Sequence, residues 1–533
     1  MSVRLRSLAP VGAVVTAAAI AFNPLAALAP AAQTHASSKT TAKSGLADNL
    51  DRILSDKRLD GAMVGLEVRN AETGKVLYKK NVDQRLNPAS NAKLLTSLAA
   101  MKVLGPDHRF ATSVLRTGQV RGHTLHGDLY LRGGGDPTIL AGDYDRLAKR
   151  VAAAGIRKVH GSLVADDTYF DDTRLGPFWS WDDEPYYYNA QISALTVAPN
   201  TDYDAGTVIV RIAPGDHEGD KAKVSVVPDN DYVHINNKAT TGASGSDNTT
   251  SAVRRHGNNT IDVTGSIPAG ADADRTWVTV WEPTDLVASL FRDALRSHGV
   301  RVQDDDTKHR ATPERAERVA DHKSMSLSAM LVPFLKLSNN MHAEHLTKTM
   351  GAEVKGEGSW DAGTDVLMSA VADFGVNTDT LRMVDGSGLS RGDLLTAHEI
   401  TNLLIAAQDE PWFDTWYDAL PIAGNPKRFV GGTLRSRMTD TPAADNMHAK
   451  TGSLTSVSGL SGYVTDGAGD PLVFSMLTNN YVADSGVKDI EDAVGVQLAS
   501  YGAKNARHVR VQPHERRGKT YDPSIECSWA KAC

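Results

Sequence analysis

Only two cysteines occur in the 533 residues, Cys527 and Cys533, both within the last seven positions. No thiolate nucleophile can therefore serve a mid-chain active site, and no Cys/His cluster has the spacing of a zinc site. An exported chain permits a disulfide closing the short loop between them, and two free thiols on a polar tail are the other arrangement. Positive charge is not in surplus either, since 57 Lys and Arg stand against 64 Asp and Glu, a net charge of −7. Nucleic-acid binding usually needs a concentrated basic surface, which this balance gives no reason to expect. Long apolar runs are missing as well. The stretch from Val11 to Phe22 ends at Asn23 and Pro24, well short of the ~20 residues that a membrane span needs.

What that stretch does match is an export signal. Arg4 and Arg6 precede it, and small residues follow at Ala27-Leu28-Ala29 and at Ala36. Cleavage after Ala29 would leave Pro30 next, so a cut near Ala36 is an equal candidate. The sequence predicts a signal peptide over residues 1–36 and an exported mature chain without a transmembrane segment. The composition is 41% hydrophobic and 23% charged, as in a soluble globular protein. The length suits about three or four domain-sized units.

Three short motifs carry chemistry: Ser90-Asn91-Ala92-Lys93, Ser338-Asn339-Asn340 and Lys450-Thr451-Gly452. Average usage gives roughly one or two chance Ser-x-x-Lys matches in a chain this long, but only about 0.1 Lys-Thr-Gly. Context strengthens the first motif. Pro88-Ala89 precede Ser90, and Leu94, Leu95, Leu98 and Met101 follow at helical spacing before Gly105, so Ser90 is expected to open a buried helix. A serine hydroxyl is a weak nucleophile and needs a base within hydrogen-bond reach. Lys93, three residues on, shares its helix face, and the positive helix N-terminus favours the developing alkoxide. The amine must be unprotonated when it acts, which burial or a neighbouring cation such as Lys450 favours.

Organisation follows from local patterning. Val64 to Val68, a turn at Asn70 to Gly74, and Val76 to Tyr78 read as a hairpin leading into the nucleophile helix. The 248 positions between Ser90 and Ser338 exceed what a compact catalytic unit needs, so an insertion is predicted. Its first part alternates strand and helix: Leu125 to Leu131, then Asp143 to Ala154, then Gly161 to Ala165. From about Thr207 short strands take over at Val208–Val210, Val224–Val227, Ile261–Val263 and Trp277–Trp281. An exposed loop is expected from Ala239 to Ser251. A helix over Asp285 to His298 and a charged loop from Asp304 to Arg318 lead back. Leu327 to Leu337 is apolar at helical intervals with a break expected at Pro333, and a helix from Asn340 to Met350 is expected to end at Gly351. Leu460–Val464 and Leu472–Leu477 form a second hairpin signal. A last helix carries Val487, Ile490, Val494 and Leu498.

In order and chemistry the three motifs resemble the active site of serine DD-peptidases and serine β-lactamases. Asp385-Gly386-Ser387-Gly388-Leu389-Ser390-Arg391, Gly133-Gly134-Gly135-Asp136-Pro137 and Ser193-Ala194-Leu195 narrow this. They resemble the D-Ala-D-Ala carboxypeptidase/endopeptidase family, the class C low-molecular-mass penicillin-binding proteins, over about Ala47 to Ala503. The resemblance implies a multidomain α/β (α+β) chain of the penicillin-binding/β-lactamase-like transpeptidase fold, with an antiparallel sheet flanked by helices. The expected division is a catalytic domain over 45–110 and 325–505, an inserted α/β domain over 111–200 and 282–324, a nested β-rich domain over 201–281, and a polar tail over 506–533.

For the site, the resemblance implies Ser90 as nucleophile, Lys93 as base, Ser338 as proton relay and Asn340 as binder of the substrate amide. Lys450 and Thr451 would hold the substrate's terminal carboxylate. The N–H groups of Ser90 and Ser453 would form the oxyanion hole, and Gly452 would let substrate backbone lie against the strand. Arg391, Asp182 and Asp183 are substrate-side candidates, because an acid near the cleft would hold a stem-peptide amine; solvated surface charge is their alternative reading. The implied substrates are peptidoglycan stem peptides ending in D-Ala-D-Ala, and β-lactams would acylate Ser90. No cofactor is implied. Gly133 to Gly135 lacks the pattern of a phosphate loop, and His342, Glu344 and His345 satisfy neither metalloprotease pattern. The rivals are a β-lactamase of the same fold and a non-catalytic envelope-binding protein.

Overall fold

The computed structural model describes residues 40–483, 486–503, 509–512 and 531. The signal-peptide segment and both cysteines lie outside the described residues. The central feature is a five-stranded antiparallel sheet built from both ends of the chain. Its order is Val76–Lys80, Met63–Asn70, Pro471–Asn479, Val457–Thr465 and His448–Leu454. Alternation decides its two faces, because successive strand side chains point to opposite sides. In Pro471–Asn479, Leu472, Phe474 and Met476 join a core under the helices Thr40–Leu54 and Val487–Ser500. Val473 and Leu477 point the other way, into the core of Ala92–Val103, Leu327–Lys336, Asn340–Lys355, Trp360–Ala372 and Ala397–Ala407. Fully burying side chains such as Phe474 and Leu477 stabilises by about 1.5–3 kcal/mol each. Among the described residues no helix is long and apolar enough to cross a membrane.

Between the nucleophile helix and the second motif stands a second five-stranded sheet, Thr307–His309, Leu163–Asp166, Leu129–Arg132, Ala111–Arg116 and Glu317–Lys323. The helices Ala141–Ala153 and Pro283–Ser297 pack together on it. Small β-sheets from Thr207–Ala213 to Asp274–Thr279 continue from there. One apolar cluster runs through all of this, from Val114 and Leu131 through Phe291 to Val208 and Ile261.

Several local expectations need correction. The predicted strand Leu125 to Leu131 is two strands in different sheets, Thr124–His126 and Leu129–Arg132. They part at Gly127, where a Cβ would come within 2.1 Å of the Thr117 carbonyl. The loop from Ala239 is not all exposed: Ala239 and Thr241 are buried, and Thr240–Gly242 pairs with Ser266–Pro268. Pro333 does not break its helix, which runs from Leu327 to Lys336. A proline there removes one ladder hydrogen bond, but Met330, Leu331, Phe334 and Leu335 all reach the core and hold the helix on. Gly351 does not end the following helix, which continues to Lys355 and is capped by Gly356 at φ 72°. Gly351 is there for close packing, since a Cβ would come within 2.6 Å of the Glu357 carbonyl.

Candidate active site

Ser90 stands in a single 3₁₀ turn, Ala89–Asn91, that feeds directly into the helix Ala92–Val103. It is therefore two residues ahead of the α-helix rather than its first residue. The turn lies on the strand His448–Leu454 because two glycines that pair across the sheet, Gly452 and Gly459, are bare there. A Cβ on Gly452 would meet Asn91 Nδ2 at 2.7 Å and the Pro88 carbonyl at 2.8 Å; one on Gly459 would meet Asn91 Nδ2 at 2.5 Å. The structure thus gives Gly452 a packing duty towards the nucleophile turn. The second motif sits where Leu327–Lys336 hands over to Asn340–Lys355, with Ser338 at φ 56°. Asn339 caps the second helix by accepting from the His342 N–H.

These elements bring five predicted side chains into two hydrogen-bonded sets. Lys93 Nζ lies 2.7 Å from Ser90 Oγ, 2.7 Å from Asn340 Oδ1 and 2.8 Å from the Ser387 carbonyl. Lys450 Nζ donates to Ser338 Oγ at 2.8 Å and to the Thr451 carbonyl at 2.9 Å. Both lysines are fully buried. The Lys93 contacts are chemically suggestive. Two of them are obligate acceptors that take the two hydrogens of a neutral amine, and the third is a hydroxyl able to donate to its lone pair. That is the arrangement a general base needs before it takes the Ser90 proton.

Ser387 is held in turn by buried carboxylates. Glu344 accepts from the N–H groups of Gly386 and Ser387 and from Trp360 Nε1. Asp385 accepts from Gly388, Ser390 and Trp179 Nε1. Burial, then the Asp385 charge, pushes the Glu344 carboxyl up to about 7. The motif Asp385 to Arg391 therefore folds around acceptors that fix the carbonyl under Lys93. The other two secondary motifs also meet, since Gly133 has no room for a Cβ against the Ala194 carbonyl, 2.1 Å away.

The remaining candidates are scattered around the cleft. Thr451 Oγ1 donates to Thr433 Oγ1 at 2.9 Å. Ser453 pairs with Ser458 on the next strand, and its Oγ is buried without a hydrogen-bond partner among the described residues. Arg391 is exposed and donates to the Thr455 carbonyl at 3.0 Å. Asp183 accepts from the Tyr188 hydroxyl at 2.9 Å; burial raises its carboxyl while the Arg391 charge opposes the rise. Asp182 is exposed, and neither it nor Asp183, Arg391, Thr451 or Ser453 is among the residues lining the cleft. His342 and His345 are fully buried and bond to backbone carbonyls.

The walls of the cleft include Ser90, Ser338 and Asn340, and the space between them is narrow, about 20 Å³. Tyr187, Tyr188 and Asp204 join them from the insertion. These three were missed by reasoning from motifs. Asn340 Nδ2 already donates to the Tyr188 carbonyl at 2.8 Å, so the insertion positions the amide predicted to bind substrate. The run Tyr186-Tyr187-Tyr188 was the available signal, since clustered aromatics are enriched in binding surfaces.

Residues 46–501 match the D-Ala-D-Ala carboxypeptidase 3 (S13) family. The chain is 44% identical over 501 residues to the D-alanyl-D-alanine carboxypeptidase of Actinomadura sp. (strain R39), covering 92% of this chain and 90% of that one. It is 26% identical over 439 residues to the D-alanyl-D-alanine carboxypeptidase DacB of Haemophilus influenzae, covering 80% and 88%. The crystal structure of penicillin binding protein 4 (dacB) from Haemophilus influenzae superposes with a TM-score of 0.72 at 24% identity, over 85% of this chain and 100% of that one. A second structure of that protein, complexed with a β-lactam, gives 0.67 at 23% identity, over 85% and 97%. These superpositions carry the penicillin-binding/β-lactamase-like fold.

Proposed function

This chain belongs to the D-Ala-D-Ala carboxypeptidase 3 (S13) family, and we infer from that membership and its cleft chemistry that it is a serine D-Ala-D-Ala carboxypeptidase acylated by β-lactams. The observation that carries the residue assignment is the 2.7 Å contact between Lys93 Nζ and Ser90 Oγ beside the Lys450–Ser338 pair. In this reading Lys93 takes the hydroxyl proton as Ser90 Oγ attacks the D-Ala-D-Ala carbonyl. The N–H groups of Ser90 and Ser453 receive the oxyanion. Ser338 returns the proton to the departing D-Ala amine, with Lys450 and Thr451 on its carboxylate. Water then cleaves the acyl-enzyme along the reverse proton path. Asn340 holds the substrate amide, while Asp182, Asp183 and Arg391 serve the stem peptide outside the cleft itself. Action on a D-Ala bond to a neighbouring stem would be endopeptidase activity at the same serine.

The reading extends to place and architecture. Peptidoglycan as substrate fits an exported chain, supported by the basic, apolar and small-residue pattern of residues 1–36. The division into a catalytic unit, an inserted α/β unit and a nested β-rich unit is supported by the separate sheets, with the two inserted units sharing one apolar core. The test is labelled penicillin on wild type and Ser90→Ala. Stable labelling of wild type alone, with D-Ala released from a D-Ala-D-Ala peptide, is expected. Rapid turnover of the drug would indicate a β-lactamase, and no labelling of either protein would indicate a non-catalytic binder.

A further inference from the structure

A second cavity, of about 390 Å³, shares no lining residue with the reaction cleft. It is roomy enough for a small organic molecule. Its lining includes His108 to Ala111, on the way from the nucleophile helix into the insertion, and Arg318, on the strand that leads back out. The rest is one edge of the second five-stranded sheet. The parallel strands Leu129–Arg132, Leu163–Asp166 and Thr307–His309 end here, with Arg132, Asp166 and Thr312 at or just beyond their carboxyl ends. Ligands of open α/β sheets sit at that edge. Gly133 and Gly134, from the glycine motif that the reaction does not use, line the cavity as well.

Three guanidinium groups, those of Arg109, Arg132 and Arg318, share this lining with two carboxylates, Asp166 and Glu353. Both carboxylates are occupied elsewhere. Asp166 lies in register with Arg132, yet it accepts from the Thr168 N–H at 3.2 Å, from Thr168 Oγ1 at 2.7 Å and from the Thr312 N–H at 2.7 Å. Glu353 accepts from the Tyr169 hydroxyl at 2.5 Å. Arg109 donates to the Ser324 carbonyl at 2.7 Å, whereas Arg132 and Arg318 are exposed and have no hydrogen bond or ion pair among the described residues. Two buried polar atoms of lining residues, His108 Nε2 and Thr312 Oγ1, also have no partner among the described residues. Such atoms are few in native proteins.

We propose that this cavity binds a small organic phosphate monoester, with Arg132 and Arg318 on its phosphate. The guanidinium fork matches phosphate oxygens two at a time. Two unpaired guanidinium groups suit a ligand group that carries close to two negative charges at pH 7, as a phosphate monoester does and a single carboxylate does not. The volume exceeds what the phosphate alone would fill, and the hydroxyls of Ser113 and Thr168 in the lining suit an ester whose alcohol part is polar. Side chains hold the anion, so the glycine run needs no phosphate-loop pattern. Such binding does not depend on the peptidase reading.

The experiment is calorimetric titration of the full-length protein with glycerol 3-phosphate. Wild type should bind with a Kd of about 1 mM or tighter, and added salt should weaken the binding. Arg132→Met and Arg318→Met should each weaken it by about tenfold to a hundredfold, the contribution of a charge-assisted hydrogen bond. Their melting temperatures should not change, because neither guanidinium is engaged in the fold. Arg121→Met, outside the cavity and bonded only to Gln119, should bind as wild type does. No heat up to about 10 mM ligand would overturn the site, as would unchanged binding in both cavity variants. Loss of binding in Lys450→Ala alone would place the anion in the reaction cleft and refute the second site. Malate bound as tightly as glycerol 3-phosphate would overturn the choice of phosphate, and inorganic phosphate bound as tightly would overturn the choice of an ester.

Discussion

Gly452→Ala tests whether the nucleophile turn is aligned by its seat on the sheet. The added methyl would stand 2.7 Å from Asn91 Nδ2, 2.8 Å from the Pro88 carbonyl and 3.2 Å from the Ala89 Cβ. Ordinary contact begins near 3.4 Å, so the turn must retreat by about 0.7 Å. Asn91 is fully buried, and its side-chain amide has no hydrogen-bond partner among the described residues that it could rearrange around. Overpacking of this kind costs about 1–3 kcal/mol of stability. The kinetic cost is larger, because Ser90 moves with the turn while Lys450 stays on the strand, and a misplacement approaching 1 Å costs up to about a hundredfold. The assay is the second-order rate of labelled-penicillin acylation beside a urea unfolding curve. Gly142→Ala is the control, since its methyl meets only Arg146 Nη1, at 3.6 Å, inside a helix. It should acylate normally and gain about 0.5–1 kcal/mol. A folded Gly452→Ala that acylates within about twofold of wild type would refute the alignment argument.

Two further outcomes are expected. Lys450→Ala should cut kcat/KM about tenfold to a hundredfold for peptides with a free terminal carboxylate, the worth of one charge-assisted hydrogen bond; equal loss for amidated peptides would contradict its anchoring role. His342 should make the fold acid-sensitive. Burial, then His345, holds its imidazole down to about 3, while the unfolded chain takes up a proton near 6.5. Stability is therefore full above about pH 6.5 and falls with pH below it, by about 2 kcal/mol at pH 5 from this residue alone. Urea unfolding at pH 7 and pH 5 should show that loss shrinking in His342→Asn, and an identical loss in both proteins would refute it.

The convergence of the three motifs was legible because each carries a local rule. Ser90 and Lys93 are one helical turn apart, Ser338 marks a helix junction, and Lys450 stands just ahead of the hairpin signal formed by Leu460–Val464 and Leu472–Leu477. Long-range packing was not legible. Pro333 looked like a break because its own covalent geometry argues for one, and only the burial of Phe334 and Leu335 overrides it. Gly351 looked like a helix end because a C-terminal cap and a close helix contact leave the same residue behind.

The same limit explains the cleft. A motif search weights residues by the reaction they perform, so it found the groups on the catalytic sheet and its helices. It gave no weight to Tyr188, whose backbone carbonyl receives Asn340 Nδ2, because a carbonyl leaves no signature in sequence. Tyr188 belongs to the insertion, and so do Tyr187 and Asp204. The insertion therefore completes a wall of the reaction cleft. An account that treats it as a spacer would have to supply another partner for the Asn340 amide.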